Sequence, residues 1–188
     1  MVVEIIAAAL GLIQGVLVMF NRKSNWIFYI LQMAFLLVFS LVNRLYGDVV
    51  NNSIYLIFGI AGILSWNRSS DDKGGISSAG IAEKALYILI SIVGTAVVSW
   101  FLGKTDDPLP VLDAFTTVTS FIATYYMVRK KLDAWIIWFV NDIFYAIEYF
   151  ILPDQALYLF ALNVVWTVMA VVSYINWRKI MKSGEAAG

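Results

Sequence analysis

The chain has 188 residues, of which 61% are apolar and 15% aromatic, while Asp, Glu, Lys and Arg together make 14%, against roughly 25% in a soluble domain. With a mean hydropathy of +0.80, this composition excludes an ordinary water-soluble enzyme. It contains no Cys and no His, which removes disulfides, thiolate nucleophiles, imidazole bases and the usual metal ligands; no cofactor or metal is expected. The 13 basic residues balance 13 acidic ones, so a strongly basic nucleic-acid-binding surface is excluded too.

Uncharged apolar windows predict seven spans, at residues 4–20, 26–43, 49–66, 84–102, 110–128, 134–152 and 156–177. Each is near the length needed to cross a hydrocarbon core about 30 Å thick. They are too long and too uniformly apolar for barrel strands, and a helix satisfies its own backbone in lipid. The expected fold is therefore an all-α membrane protein, a single domain over 1–188. The first span has no basic residue ahead of it and reads as a retained helix, not a cleaved signal, with Met1 starting the mature chain. Residues 67–83 are rich in Ser, Gly and Asp and predict a flexible cytoplasmic linker, whereas 183–188 predict a frayed tail or an appended segment.

Basic residues fall unevenly. Arg44 and Lys104 lie on the N-terminal side; Arg22, Lys23, Arg68, Lys73, Lys84, Arg129, Lys130, Lys131, Arg178, Lys179 and Lys182 lie on the other. The positive-inside rule then places the N-terminus outside and the C-terminus in the cytoplasm, which requires an odd number of spans.

Spans three and seven match at a shift of 111 residues: Asn52, Tyr55, Gly59, Gly62 and Trp66 fall on Asn163, Trp166, Ala170, Ser173 and Trp177. Spacings of 3, 4, 3 and 4 put all five on one helical face. Spans two and six match at a shift of 109, Trp26 on Trp135 and Gln32 on Asn141. The pattern predicts two parallel three-helix repeats, 4–66 and 110–177, joined by a connecting helix at 84–102 (3+1+3), with a solute held between the repeats. At about 1.5 Å per residue the amides form two tiers roughly 12 Å apart, a spacing that suits a nucleoside or vitamin.

Amides in hydrocarbon need partners, so each is read either as interhelical glue or as a solute contact. Gly59 and Gly62 are expected to permit close helix packing, and Trp66 and Trp177 to anchor the span ends at the membrane interface. Span six carries Trp138, Asn141, Tyr145 and Glu148 at spacings of 3, 4 and 3, with Asp142 and Tyr149 beside them. A stripe of rings and hydrogen-bonding groups can stack on a flat heterocycle and read its edge. Asp142 and Glu148 are ionisable groups at membrane depth, a functional signal: they could pair with a cationic solute, carry protons for coupled uptake, or bond to a nearby Tyr. Asp113, Thr116, Thr117, Ser120 and Thr124 of span five either back-bond to their own helix or meet a sugar.

Residues 25–68 (NWIFYILQMAFLLVFSLVNRLYGDVVNNSIYLIFGIAGILSWNR) and 113–150, with their TTVTS, MVRKK and W-x-x-W runs, resemble the PnuC family of bacterial vitamin and nucleoside transporters. The resemblance implies a seven-helix inner-membrane carrier, usually a homotrimer, that equilibrates nicotinamide riboside, thiamine, riboflavin or deoxynucleosides by facilitated diffusion, with a cytoplasmic kinase trapping the solute. It further implies a site on helices three, six and seven, here Asn52, Tyr55, Trp138, Asn141 and Asn163. Asn52 stands where nicotinamide riboside members are expected to have Gln. The full candidate set is Gln32, Asn52, Tyr55, Trp138, Asn141, Tyr145, Glu148, Asn163 and Trp166. An intramembrane hydrolase with paired acids Asp142 and Glu148, and a membrane scaffold that binds no solute, are the readings from other classes.

Overall fold

The computed structural model describes residues 2–68, 75–151 and 157–186. Among these, seven helices carry the fold: α1 (Val2–Met19), α2 (Asn25–Val42), α3 (Tyr46–Arg68), α4 (Ile81–Leu102), α5 (Pro110–Val128), α6 (Ala134–Ile151) and α7 (Leu157–Ala186). Six of them, α2 to α7, are long and apolar enough to cross a membrane. The described apolar stretch of α1, Ile5–Met19, is shorter, about 22 Å at 1.5 Å per residue. Helix α7 continues through residues 183–186, where a frayed tail was expected, and 187–188 lie outside the described residues.

The helix ends follow local chemistry. Pro110 opens α5, where its missing N–H costs nothing, and Asp113 sits in the first turn, where the helix dipole favours a negative charge. Helices α1 and α5 end alike. Asn21 and Lys130 are left-handed (φ 53 and 51). Arg22 N–H donates to Leu17 O at 2.9 Å and Lys131 N–H to Tyr126 O at 2.8 Å, while Asn21 and Lys130 donate to Val18 O and Met127 O at 2.9 and 3.0 Å. That is the hydrogen-bond pattern of a Schellman end, repeated at a shift of 109 residues.

The chain divides into two compact units, one of Met1–Ile76, Met127–Lys130 and Asn176–Gly188, the other of Ser77–Tyr126 and Lys131–Ile175. In the first, α1 packs on α2 and α2 on α3. Gly62 is a socket: a Cβ there would run into the ring of Trp26. At Gly11 a Cβ would meet Gln32 Nε2 at 2.6 Å.

Trp66 and Trp177, expected at the membrane interface, are instead fully buried in this unit. The Trp66 indole donates to Met127 O at 3.2 Å and the Trp177 indole to Val18 O at 2.8 Å, with Asn176 Nδ2 donating to Met19 O beside it at 2.8 Å. The physical reason lies in the stripe itself: both indoles stand on the face that carries the buried amide and small residues, so they turn inward to helix-end carbonyls, each of which uses its second lone pair to accept the indole N–H. Trp66 contacts Trp26 and Trp177 with ring centroids 5.6 and 5.9 Å apart, and Lys130 Nζ lies 4.7 Å from the Trp66 ring.

In the second unit α5 is the buried element, with Ala114, Thr116, Thr119, Ser120, Ala123 and Thr124 all enclosed. Helix α4 approaches it at Gly94, where a Cβ would lie 2.9 Å from Val118 Cγ1, and at Tyr126, whose hydroxyl donates to Glu83 O at 2.9 Å. Phe115 and Phe144 join α5 to α6 at 4.8 Å between ring centroids. Residues 69–74 of the expected linker lie outside the described residues, but its later part is tied down. Leu132 N–H donates to Ser77 O at 2.9 Å, and Asp133 accepts from Ala79 N–H at 2.6 Å. Ion pairs add Lys84 to Asp133 at 3.0 Å and Lys131 to Glu83 at 3.3 Å. Composition alone hid this, because the partners lie about fifty residues away in sequence.

Candidate functional site

Helix α6 brings the largest number of expected site residues together. Trp138, Asn141, Tyr145 and Glu148 occupy one stripe because residues three and four apart are neighbours on a helix. Asn141 is fully buried, while Trp138, Tyr145 and Glu148 are half-buried. Tyr145 stacks on Tyr149 at 6.2 Å with the rings 13° from parallel. Among the described residues, Trp138 Nε1, Asn141 Nδ2 and Glu148 Oε2 have no hydrogen-bond partner. Buried polar atoms are normally satisfied, and leaving one bare costs on the order of 1–3 kcal/mol. Two donors one turn apart, followed by an acceptor about 10 Å farther along the axis, therefore await partners on one stripe.

The other end of the Asn141 amide is held. Thr119 Oγ1 lies 2.6 Å from Asn141 Oδ1 and donates to it. Thr119 was not among the hydroxyls singled out from the sequence; its signal was the TTVTS run, which places it one residue before Ser120. The remaining hydroxyls of α5 bond locally: Thr116 to Leu112 O and Asp113 O at 3.1 and 3.0 Å, Ser120 to Thr117 O at 2.8 Å and Thr124 to Ser120 O at 2.8 Å. Thr117 reaches Asp113 Oδ1 at 3.5 Å. Thr116, Ser120 and Thr124 thus back-bond to α5, whereas Thr117 meets a side chain of the same helix.

The amides elsewhere differ. In the first unit Asn52 is buried and donates to Ser40 Oγ at 3.2 Å, and Ser40 in turn donates to Leu36 O at 2.8 Å, so this amide links α3 to α2. Tyr55 is half-buried and meets Tyr29 edge-on at 6.4 Å. Gln32, half-buried, lies against Gly11. On α7, Asn163 is buried and donates to Leu159 O of its own helix at 2.9 Å, and Trp166 is half-buried.

Asp142 is buried next to Asn141. Six positions separate it from Glu148, which sets the two carboxylates about 120° apart around the helix and roughly 9 Å apart along it. That geometry does not aim both at one bond. Among the described residues no group of three or more acids could hold a metal ion. What α6 can do chemically is bind: stack a flat ring, donate to its edge, and accept from a hydroxyl farther along.

Comparison with known proteins gives the same direction. The sequence profile of the family described as nicotinamide mononucleotide transporter matches residues 1–179. The nicotinamide riboside transporter PnuC of Neisseria mucosa is 25% identical over 189 residues, covering 94% of this chain and 72% of its own. The riboflavin/roseoflavin transporter RibM of Streptomyces davaonensis is 26% identical over 149 residues, covering 74% of this chain and 68% of its own. Among solved structures, the crystal structure of the vitamin B3 transporter PnuC superimposes with a TM-score of 0.73 at 25% identity, over 95% of this chain and 81% of that one.

Proposed function

This chain belongs to the nicotinamide mononucleotide transporter family, a multi-pass protein of the bacterial inner membrane, and on that premise we propose that it takes up a nucleoside-like solute, nicotinamide riboside or a deoxynucleoside, by facilitated diffusion. The observation that carries the reading is the α6 stripe, where Trp138 Nε1, Asn141 Nδ2 and Glu148 Oε2 stand without partners among the described residues. The heterocycle stacks beside Trp138 with its edge on Asn141, and the sugar hydroxyls reach toward Glu148, past Tyr145. In the same unit Asn163 and Trp166 are proposed as further contacts; in the first unit Gln32, Asn52 and Tyr55 are the proposed candidates. Asn52 and Asn163 already have protein partners, and they contribute by switching those bonds to the solute.

The matched turns at residues 17–27 and 126–136 support two parallel three-helix repeats, and the bias of basic residues supports an outside N-terminus. We propose a homotrimer and a cytoplasmic kinase that traps the solute after entry. A likeness to RibM favours riboflavin as the second substrate reading; thiamine is a third. Uptake coupled to protons through Asp142 or Glu148 is the competing mechanism.

The test is uptake of labelled nicotinamide riboside into proteoliposomes containing this protein alone, competed in turn by deoxynucleosides, thiamine and riboflavin. Uptake that equilibrates without a gradient and resists the competitors is the expected result for a nicotinamide riboside carrier. Block by riboflavin at far lower concentration would move the assignment to that vitamin. Accumulation driven by an imposed pH gradient would replace facilitated diffusion by proton coupling, and recovery of cleaved solute would replace carriage by hydrolysis.

A further inference from the structure

We infer that Thr119 is a positioning residue that fixes Asn141 as a hydrogen-bond donor toward the solute, so that the protein selects a heterocycle by a carbonyl-type acceptor and not by an N–H group. The inference rests on the proposed site and adds the polarity of its recognition.

Three oxygens compete for the single hydroxyl proton of Thr119, which is buried. Its Oγ1 lies 2.6 Å from Asn141 Oδ1, 2.7 Å from Phe115 O and 3.3 Å from Thr116 O. Phe115 O lies within α5 and already accepts the helical N–H of Thr119, four residues on. Asn141 Oδ1 has no such second source. Two oxygens 2.6 Å apart repel unless a hydrogen lies between them, so the proton goes to the amide. An amide has one acceptor end and one donor end; with the acceptor end bound to Thr119, the donor end faces away, and Asn141 Nδ2 is the atom left without a partner among the described residues. One turn earlier on the same stripe, Trp138 Nε1 is also a donor without a partner, and an indole nitrogen can do nothing but donate.

This part of the site therefore presents donors only, and a bound ring must bring lone pairs to it. The reversed amide makes the opposite demand. Asn141 Nδ2 would donate to Thr119, the hydroxyl would turn to Phe115 O, and Asn141 would offer a carbonyl that calls for an N–H on the solute. The two arrangements are separated by the solute's chemistry.

Three probes read the difference on the full-length protein in nanodiscs, by calorimetric binding: nicotinamide riboside, 3-acetylpyridine riboside, which keeps the carbonyl and loses the amide N–H, and 3-aminopyridine riboside, which loses the carbonyl and keeps an N–H. Wild type is expected to bind the acetyl compound within about threefold of nicotinamide riboside and the amino compound at least about tenfold more weakly, the usual effect of one buried hydrogen bond. Thr119→Ser keeps the hydroxyl and should preserve that ratio. Thr119→Val, or Thr119→Ala if the former does not fold, should bring the two analogues within about threefold of each other, a change that a merely structural role would not produce.

A wild type that prefers the amino compound, or a ratio that survives loss of the hydroxyl, overturns the inference while leaving the solute assignment intact. Failure of wild type to bind nicotinamide riboside at all overturns the solute assignment and this inference with it.

Discussion

Residues 17–27 and 126–136 follow the same backbone path, each turning through a left-handed residue with matching hydrogen bonds, yet the helices that leave these turns use their amides differently. Six residues past the tryptophan of each turn, α2 places Gln32 and α6 places Asn141. Gln32 lies over Gly11 of the preceding helix, which leaves room for a longer side chain and offers it no side-chain partner. Asn141 faces Thr119 of its preceding helix, which holds one end of the amide and leaves the other without a partner. A duplicated turn thus supplies the same position twice, and the residue opposite decides whether the amide packs against a glycine or is held by a hydroxyl. Asymmetry of this kind lets one half of a carrier recognise a solute that has no symmetry of its own.

The largest effect should come from the tryptophans that the two halves share. Trp66→Ala and Trp177→Ala each delete a buried ring and a donor to a helix-end carbonyl, a loss of about 3–5 kcal/mol. It would appear as a lower unfolding midpoint in detergent, whereas Trp100→Ala, at a position 59% exposed, should leave the midpoint nearly in place. Equal behaviour of the three would break the assignment of Trp66 and Trp177 as buried caps.

Next comes a contrast between two amides. Asn141→Leu should reduce solute uptake at least about tenfold without lowering the unfolding midpoint, because the freed Thr119 hydroxyl can turn to Phe115 O and a bare buried donor is removed. Asn52→Leu should instead cost about 1 kcal/mol of stability, since it breaks the bond to Ser40. Paired thermal and uptake measurements on both variants would expose any exchange of these roles.

Smaller still, Gly11→Ala presses on Gln32, the end of a flexible side chain, and should cost under about 1 kcal/mol. A change in uptake out of proportion to that cost is expected if Gln32 meets the solute as proposed, and would sharpen the comparison with Asn141. The smallest effect belongs to the turn charges. Asp133→Asn keeps an acceptor for Ala79 N–H but loses the pair with half-exposed Lys84, worth about 0.2–1 kcal/mol and screened by salt. Ser24, its counterpart at the start of α2, makes no side-chain cap bond, so Ser24→Ala should change nothing that melting can detect.

Much of this was legible from the residues. Long apolar runs have few options in a bilayer, so the helices appeared within a few residues of their observed limits, except that α7 runs nine residues past the expected 177 into a polar stretch, and the stripe Trp138, Asn141, Tyr145, Glu148 could be drawn from helical spacing alone. The tryptophans misled because basic neighbours at a span end look the same whether an indole turns outward to headgroups or inward to a carbonyl. Thr119 was missed because, within its own helix, nothing marks it off from the other hydroxyls of α5.

By itself the sequence determined the solvent, the helices and their faces, because hydrophobic length and a 3.6-residue period are properties of the chain alone. Tertiary structure decided which partner each amide meets, which indoles close helix ends, and that residues 77–84 are clasped to the α5–α6 turn. Each of those outcomes depends on a partner on another element, 12 to 159 residues distant, and one hydrogen bond from that partner settles the direction in which a polar side chain points.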